Sequence, residues 1–281
     1  MKHLLAFLCL LSASLLPALA RGEPEEDRGA QIRALPWQQG PTTGAVAGKA
    51  SIKVPQGHVY LDAKNTHRFL ELTGNPPDDL HTLVAPASLK WLAFFAFNDS
   101  GYVKDDETID ADQLLDQLKA GDERGNARRR ELGMQPLFTD GWQVPPHYDS
   151  SSRRLEWGVR LRTGEGHTLV NYTVRLLGRT GVMSAVLVSA PDRLDADRTA
   201  FKSLLEDFTY NDGEGYAEYR PGDKVAEYGL AALVLGGAAA LATKKGLWAA
   251  LGGLIAAFWK LGLGLAVAGF AAVRAWFSRK R

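Results

Sequence analysis

The apolar residues of this chain are concentrated at its two ends, and no other feature constrains its fold as strongly. Residues 1–20 and 225–281 are strongly apolar, whereas residues 21–224 carry most of the charge. That middle part holds 25 basic and 31 acidic residues, a net charge of −6, while the C-terminal part holds seven basic residues and one acidic residue. The distribution predicts a mildly acidic folded domain between two membrane-directed segments. It also excludes a bulk basic nucleic-acid binder, so we expect no nucleic-acid partner.

The first 20 residues have the three-part pattern of a secretory signal peptide. Lys2 and His3 precede an apolar run over 4–16, and Ala18-Leu19-Ala20 forms an A-x-A cleavage site. The alternative, an uncleaved anchor, is disfavoured because the apolar run is short for a membrane span. Cys9 is the single cysteine and lies inside the segment to be removed, so we expect no disulfide in the mature domain.

The C-terminal region predicts membrane attachment. Two apolar stretches, 225–243 and 246–273, are separated by Lys244 and Lys245, and a basic tail follows over 274–281. At about 1.5 Å per residue each stretch can cross a bilayer, so the pattern favours a transmembrane helical hairpin. In the alternative, the second stretch lies in the interface with its tryptophans at the headgroups. Both interpretations make the lipid bilayer a partner of the chain.

Between these segments we expect a flexible region over 21–49, an exported domain over 50–212 and a linker over 213–224. Alternating apolar residues predict strands at 50–54 and 58–61, and Asp62 can cap a helix that carries Phe69 and Leu70. The apolar run 91–97 predicts a strand buried on both faces, with Tyr102 and Val103 pairing back as a hairpin.

The second half of the domain predicts a long helix, a sheet and a closing helix. The helix begins after Asp110, and its charged continuation over 122–130 is expected to be solvated. Three runs, 154–162, 168–177 and 182–189, predict an antiparallel meander, and residues 192–210 predict a helix packed against it. The fold class is therefore α+β, an antiparallel sheet with segregated helices, followed by the membrane hairpin.

Several stretches resemble a family of uncharacterised bacterial membrane-anchored proteins. The matching segments are 37–41 (WQQGP), 98–115 (NDSGYVKDDETIDADQLL), 141–149 (GWQVPPHYD), 155–157 (LEW), 170–181 (VNYTVRLLGRTG) and 223–233 (DKVAEYGLAAL). One departure is Thr108, where the resemblance leads us to expect lysine. The resemblance implies a signal peptide, an exported domain of unknown function in the periplasm, and a C-terminal segment in the inner membrane. In strand and helix order the domain is also similar to the PsbP-like α+β fold.

One candidate catalytic group centres on the run Pro145-Pro146-His147-Tyr148-Asp149. His147 could act as a general base with Asp149 orienting it. With Tyr172 and Arg175 these residues form the speculative site of an envelope hydrolase or isomerase. The simpler interpretation is a rigid Pro-Pro corner whose side chains hydrogen-bond the loop.

Two further polar groups could bind ligands. Clustered carboxylates could hold a hard cation, but their spacing does not fit an EF-hand and favours a helix start; they are Asp105, Asp106, Glu107, Asp110 and Asp112. Asn171 and Arg175 share one face of a predicted strand and Arg179 follows in its turn, so these three could bind an anionic or sugar-like ligand. That face could equally be the solvent side of an antiparallel strand.

The sequence contains no nucleophile elbow, zinc-protease helix, phosphate-binding loop or paired-cysteine motif, and we expect no metal or cofactor. Our leading hypothesis is a membrane-anchored cell-envelope protein that acts as a non-enzymatic binding or adaptor protein. Its partner would be a small ligand, a cell-wall fragment, or a protein of the membrane or envelope. A third hypothesis gives the main role to assembly through the glycine-rich faces of the membrane helices.

Overall fold

An eight-stranded antiparallel sheet organises the part of the chain that the computed structural model describes, residues 25–236. The strands are β1 Gln38–Gln39, β2 Thr42–Val46, β3 Ala50–Val54, β4 His58–Leu61, β5 Thr82–Pro86, β6 Leu92–Asn98, β7 Leu137–Asp149, β8 Arg154–Thr163, β9 Thr168–Leu177, β10 Val182–Ser189 and β11 Phe208–Tyr210. The helices are α1 Glu25–Arg33, α2 Ala63–Leu72, α3 Ala111–Glu131, α4 Leu194–Glu206 and α5 Leu230–Val234. The large sheet has the order β1-β4-β5-β6-β10-β9-β8-β7, and a smaller sheet has the order β11-β3-β2. The α+β class with a large antiparallel sheet is confirmed.

The meander predicted for the second half is present and lies beside the predicted buried strand. β8 pairs with β9 and β9 with β10, all antiparallel. β6 pairs with β10 on the other side, and its residues 92–96 are buried. These four strands form the centre of the sheet, where residues on both faces need a cover.

The first face of the sheet is covered by α4 and the small sheet. Its core includes Tyr172 and Val174 from β9, Phe201 from α4 and Ile52 from β3. The predicted closing helix is confirmed, and Phe201 and Leu205 have the buried positions that the helical period predicts. The helix ends at Glu206, and the following residues form β11 instead of continuing it.

The second face is covered in two halves. On one half, α2 packs Phe69 and Leu70 against β5 and β6. Asp62 caps α2, because its carboxylate accepts a hydrogen bond from the Asn65 backbone N–H at 2.9 Å. On the other half, α3 and α5 pack against β8, around Trp157.

The charged continuation of α3 is not simply solvated. Asn126 and Arg129 are each only 2% exposed. The Asn126 side chain donates to the Leu137 carbonyl and accepts from the Leu137 N–H, both at 2.8 Å. Because β7 is an edge strand, its backbone groups need partners outside the sheet, and α3 supplies them.

Two local predictions are wrong. The Pro145-Pro146 pair does not form a corner outside the sheet, since both residues lie within β7, at a register shift of its pairing with β8 between Val144 and His147. An edge strand tolerates such missing N–H donors. Tyr102 does not pair back on β6. Its N–H donates to the Lys224 carbonyl at 2.8 Å, and its carbonyl accepts from the Ala226 N–H at 2.8 Å.

The segments expected to be flexible or to act as linkers are built into the domain. Within the region 21–49, residues 25–46 contain α1, β1 and β2. Gly44 and Val46 of β2 pair with β3 across a tight turn. Residues 213–224 dock on the β9–β10 turn, where the Arg179 N–H donates to the Glu214 carbonyl at 2.8 Å.

The start of the predicted first membrane span also belongs to the domain. In α5, Leu230 and Val234 are fully buried and Leu233 is 4% exposed. Their i, i+3, i+4 spacing forms a stripe that completes the second face beside Trp157. No helix within residues 25–236 has the length and apolar character needed to cross a membrane. The predicted signal peptide 1–20, the rest of the predicted first span, the predicted span 246–273 and the tail 274–281 lie outside the described residues.

Candidate functional site

A row of mostly polar side chains runs along the centre of the second face. Its members alternate on β9 and β10, and we call them the central strip: Asn171, Thr173, Arg175, Ser184 and Val186. Arg175 lies directly opposite Ser184, and Thr173 lies opposite Val186. Because side chains on paired residues of a sheet point to the same face, these residues are neighbours on one surface.

Arg175 is the unusual member of the strip. The residue is 8% exposed, and its guanidinium lies over the Trp157 ring at 5.6 Å from the centroid. Its Nε is buried without a hydrogen-bond partner in the part of the chain that the structure describes. No carboxylate of residues 27–236 pairs with it, and burial lowers the pKa of the Arg175 guanidinium to about 10. A buried cation without a counter-charge raises the free energy of the folded state.

Ser184 places a second unmatched polar atom beside Arg175. The residue is 2% exposed, and its Oγ has no hydrogen-bond partner among the described residues. Buried hydroxyls in folded proteins nearly always have one, so an unmatched hydroxyl and an unmatched guanidinium on paired residues call for an explanation. A ligand that accepts hydrogen bonds from both would supply it.

The other members of the strip are uncharged and differ in exposure. Thr173 is 6% exposed, whereas Asn171 and Val186 are half-buried. The alternation that places Asn171, Thr173 and Arg175 on one face is confirmed. The alternative that this face is open to solvent is wrong, because α2 covers one half of the second face and α3 with α5 covers the other.

Tyr172, from the speculative catalytic group, lies on the first face. It is fully buried, and its hydroxyl donates to the Glu156 carboxylate at 2.5 Å. Lys202 of α4 contacts the same carboxylate at 2.6 Å, so this cluster ties α4 to the sheet. Burial, followed by the Glu156 hydrogen bond, raises the pKa of the Tyr172 hydroxyl. Since Tyr172 and Arg175 are on opposite faces, they cannot act on one substrate.

His147 and Asp149 lie on the edge strand β7, where His147 pairs in register with Glu156 and is exposed. The Asp149 carboxylate accepts hydrogen bonds from the Ser151 N–H at 2.9 Å and from the Ser152 hydroxyl at 2.7 Å. Hydrogen bonds from Ser151 and Ser152 hold the pKa of Asp149 well below its usual range. Asp149 therefore shapes the β7–β8 turn, and the structure does not bring the four candidate catalytic residues together.

Arg179, the third candidate ligand residue, already has an acidic partner. Its Nε and Nη2 donate to the two oxygens of Asp223, both at 2.7 Å. The hydrogen bonds from Arg179 are the main reason why the pKa of Asp223 is lowered to about 2. The geometry of this bidentate pair fixes residues 213–224 to the β9–β10 turn, which is a structural role.

The acidic run 105–112 is used by the fold. Asp110 caps α3 by accepting from the Gln113 N–H at 3.0 Å, as the helix-start interpretation predicts. Asp105 accepts from the hydroxyls of Tyr148 and Tyr216, at 2.6 and 3.0 Å, and pairs with Arg153. Within residues 27–236, no group of three or more metal-ligating side chains is arranged to hold an ion.

Glu107, also from the acidic run, reaches the start of α5. Its carboxylate accepts from the Ala231 N–H at 2.9 Å. A carboxylate at a helix N-terminus satisfies one of the unpaired N–H groups there. Glu107 thus helps to hold α5 on the second face.

Sequence reasoning missed two contributors to the site, Ser184 and Trp157. Ser184 could have been found from the predicted strands. If the last residue of one strand, Leu177, pairs with the first residue of the next, Val182, then Arg175 pairs with Ser184 two residues further from the turn, as the structure has it. Trp157 could not be found in this way. Its position under the guanidinium depends on the β8–β9 register, which places it opposite Thr173.

Comparison with known proteins gives a family without an assigned activity. No curated protein matches the chain. The solution structure of cyanobacterial PsbP (CyanoP) from Synechocystis sp. PCC 6803 matches at 10% sequence identity, covering 60% of this chain and 92% of that chain, with a TM-score of 0.37. A similarity of this strength does not establish a shared fold. The family model described as a protein of unknown function (DUF2167) matches residues 38–268. That match includes the central strip and most of the apolar C-terminal region, and the chain therefore belongs to the DUF2167 family of proteins of unknown function.

Proposed function

We propose that this protein is a membrane-anchored binding protein of the bacterial cell envelope, with a non-enzymatic domain that takes a ligand at the central strip. Arg175 carries the proposal, because the residue is only 8% exposed and its guanidinium has no acidic partner in residues 27–236. Proteins rarely bury an unpaired charge unless a function requires it, and unmatched polar groups of this kind are typical of binding sites.

The location is supported by the sequence pattern at both ends. A signal peptide over 1–20 would export the domain to the periplasm, and the apolar region after residue 236 would anchor it in the inner membrane. The docking of Val225–Leu235 on the second face means that the chain passes directly from the domain core to the anchor region.

Localisation is tested on the intact protein in bacterial cells. Membranes are isolated and washed with carbonate at high pH, and spheroplasts are treated with a protease that cannot enter the cytoplasm. The proposal expects the protein in the washed membranes and its domain to be digested from the outside. Release by carbonate, or protection of the domain in intact spheroplasts, would contradict it.

Binding is tested by purifying the full-length protein from gently solubilised membranes and identifying what stays bound by mass spectrometry. The wild type is compared with Arg175→Met, which keeps an unbranched apolar side chain at this position but removes the guanidinium and its charge. Arg162→Met removes an exposed arginine from β8 and is the matched control. A small molecule held by the wild type and the control but lost from Arg175→Met supports the proposal. A protein partner retained by all three variants would favour an adaptor role that does not use the strip.

A further inference from the structure

We infer that the ligand of the central strip is a small monocarboxylic acid, held by the Arg175 guanidinium and the Ser184 hydroxyl. The inference rests on the proposed binding role and adds the chemical class of the ligand. It follows from the charge of the strip, the unmatched Nε of the guanidinium and the side chains around it.

The charge of the strip matches one carboxylate. Arg175 is its only charged member, and the paired residues on the neighbouring strands are uncharged, namely Ala96 opposite Ser184 and Leu155 opposite Arg175. A single carboxylate neutralises this one positive charge. A phosphate monoester carries close to two negative charges at neutral pH and would leave an uncompensated negative charge in a buried site.

One edge of the guanidinium has a donor without a hydrogen-bond partner among the described residues. Trp157 makes a cation–π contact with the guanidinium, with 5.6 Å from the ring centroid to Cζ. The buried Nε has no partner within the described residues. A carboxylate can accept from Nε–H and from a neighbouring Nη–H with its two oxygens in the guanidinium plane, which is the bidentate arrangement that arginine favours.

Ser184 completes the recognition of the acid group. Its buried Oγ is unmatched and belongs to the residue that faces Arg175 across the β9–β10 pair. A hydroxyl can donate to a carboxylate oxygen that also accepts from the guanidinium. The same pair of donors would leave a neutral amide poorly recognised, because an amide offers one acceptor oxygen and brings its own N–H donors.

The surroundings limit the rest of the ligand to an uncharged body. The next row along the strip is formed by Thr173 and Val186, flanked by Trp157 on β8 and Phe94 on β6. All four side chains are uncharged and three of them are apolar. A second charge on the ligand would have no partner in this row, which favours an acid with one charge and a compact body.

The inference is tested by measuring binding to the full-length protein in detergent. The probes are acetate, butyrate and benzoate, each compared with its amide (acetamide, butyramide and benzamide), and inorganic phosphate. Thermal unfolding and isothermal titration calorimetry give the shift in Tm and the Kd. We expect at least one acid to raise the Tm of the wild type while its amide does not. Equal responses to an acid and its amide, no response to any acid, or a response to phosphate alone as an adventitious ion, would overturn the inference.

Variants assign the interaction to the two residues. Arg175→Met is expected to weaken acid binding by about a hundredfold, since a buried charge-assisted pair is lost. Arg175→Lys keeps the charge without the two-donor edge and is expected to weaken it by about tenfold. Ser184→Ala should also weaken binding, and Arg162→Met should leave it unchanged. Undiminished acid binding by Arg175→Met would overturn the inference, and if that variant does not fold, undiminished binding by both Arg175→Lys and Ser184→Ala would do so.

The outcome separates this inference from the proposed function. A co-purified molecule that depends on Arg175, together with no binding of the acids, leaves the binding role intact and removes the acid class. No co-purified molecule and no acid binding removes both.

Discussion

At the scale of single residues, Arg175 connects stability with function. Its guanidinium is buried without an acidic partner in residues 27–236, so the ligand-free fold carries an unfavourable electrostatic contribution. Replacing a buried ion by an apolar residue of similar volume is often neutral or stabilising, by about 1–4 kcal/mol. Residues kept for binding commonly reduce the stability of the free protein in this way.

We therefore predict that Arg175→Met increases the free energy of unfolding of the ligand-free protein, by about 1–2 kcal/mol. Urea unfolding of the full-length protein in detergent, followed by tryptophan fluorescence, measures the change. The control Arg162→Met should shift it by no more than about 0.5 kcal/mol, as is usual for exposed positions. A loss of several kcal/mol in Arg175→Met would show instead that the guanidinium has a structural role.

Asp105, in contrast to Arg175, has partners for its charge, and its contacts stabilise the fold. It accepts from Tyr148 and Tyr216 and pairs with Arg153. Burial opposes ionisation, but the hydrogen bonds from these three side chains outweigh it and lower the pKa of Asp105. A carboxyl whose pKa is lower in the folded state contributes stability above its unfolded pKa of about 4, and that contribution disappears as the pH falls through the folded value.

We predict that Asp105→Asn lowers the free energy of unfolding at pH 7 by about 1–2 kcal/mol, since the charged pair and its hydrogen bonds are weakened. The variant should also lose less stability than the wild type as the pH falls from about 5 to 2, because it no longer has this carboxyl to protonate. Thermal unfolding at a series of pH values measures both effects. Asp106→Asn, an exposed neighbour, is the control and should follow the wild-type profile.

Some residue-level properties can be predicted from sequence and others cannot. Period-two alternation correctly placed Asn171, Thr173 and Arg175 on one face, because side chains of a strand must alternate. The burial of that face was not predictable, since it depends on helices that are distant in sequence. The same reason explains Arg129, which looked like part of a solvated basic run and is 2% exposed.

At the scale of secondary structure elements, helices and strands with long apolar patterns were predicted correctly. The roles assigned to the proline pair and to the segment that contains α5 were not. The apolar spacing of α2 and α4 and the three meander strands were correct, because each is repeated over eight or more residues. The proline pair was misleading, because its effect depends on whether the strand lies at an edge, which only the sheet order reveals. α5 was hidden inside a stretch apolar enough to suggest a membrane span, and composition alone cannot distinguish the two.

We predict that Leu233→Ala destabilises the folded domain by about 2–5 kcal/mol, as expected for a buried leucine. Leu233 is 4% exposed within the cluster around Trp157. Chemical denaturation monitored by the tryptophan signal measures the loss, and membrane fractionation is run in parallel. Val225→Ala, at a position that is 38% exposed, should change the stability little. If Leu233→Ala reduces membrane retention while stability is unchanged, α5 belongs to the anchor and not to the domain.

At the scale of the whole molecule, the packing of α5 bears on the topology of the proposed membrane anchor. The hairpin interpretation uses residues 225–243 as its first span, but Val225–Leu235 lie on the domain. If the domain keeps this packing, only residues 236–243 remain before Lys244 and Lys245. At about 1.5 Å per residue these residues extend about 12 Å, well short of a hydrocarbon core of about 30 Å. A single span within 246–273 is long enough, and it would place the basic tail 274–281 in the cytoplasm, as the positive-inside rule favours.

We predict this single-span topology for the exported protein, and cysteine labelling tests it. Cleavage of the predicted signal peptide would remove Cys9, and one introduced cysteine would then be the only thiol of the mature chain. Ala190→Cys lies on the exposed surface of the domain, and Ser278→Cys lies in the tail. In spheroplasts, a maleimide that does not cross membranes should label Ala190→Cys directly and Ser278→Cys only after permeabilisation. Labelling of both from outside would restore the hairpin and require α5 to leave the domain, whereas labelling of neither would contradict export itself.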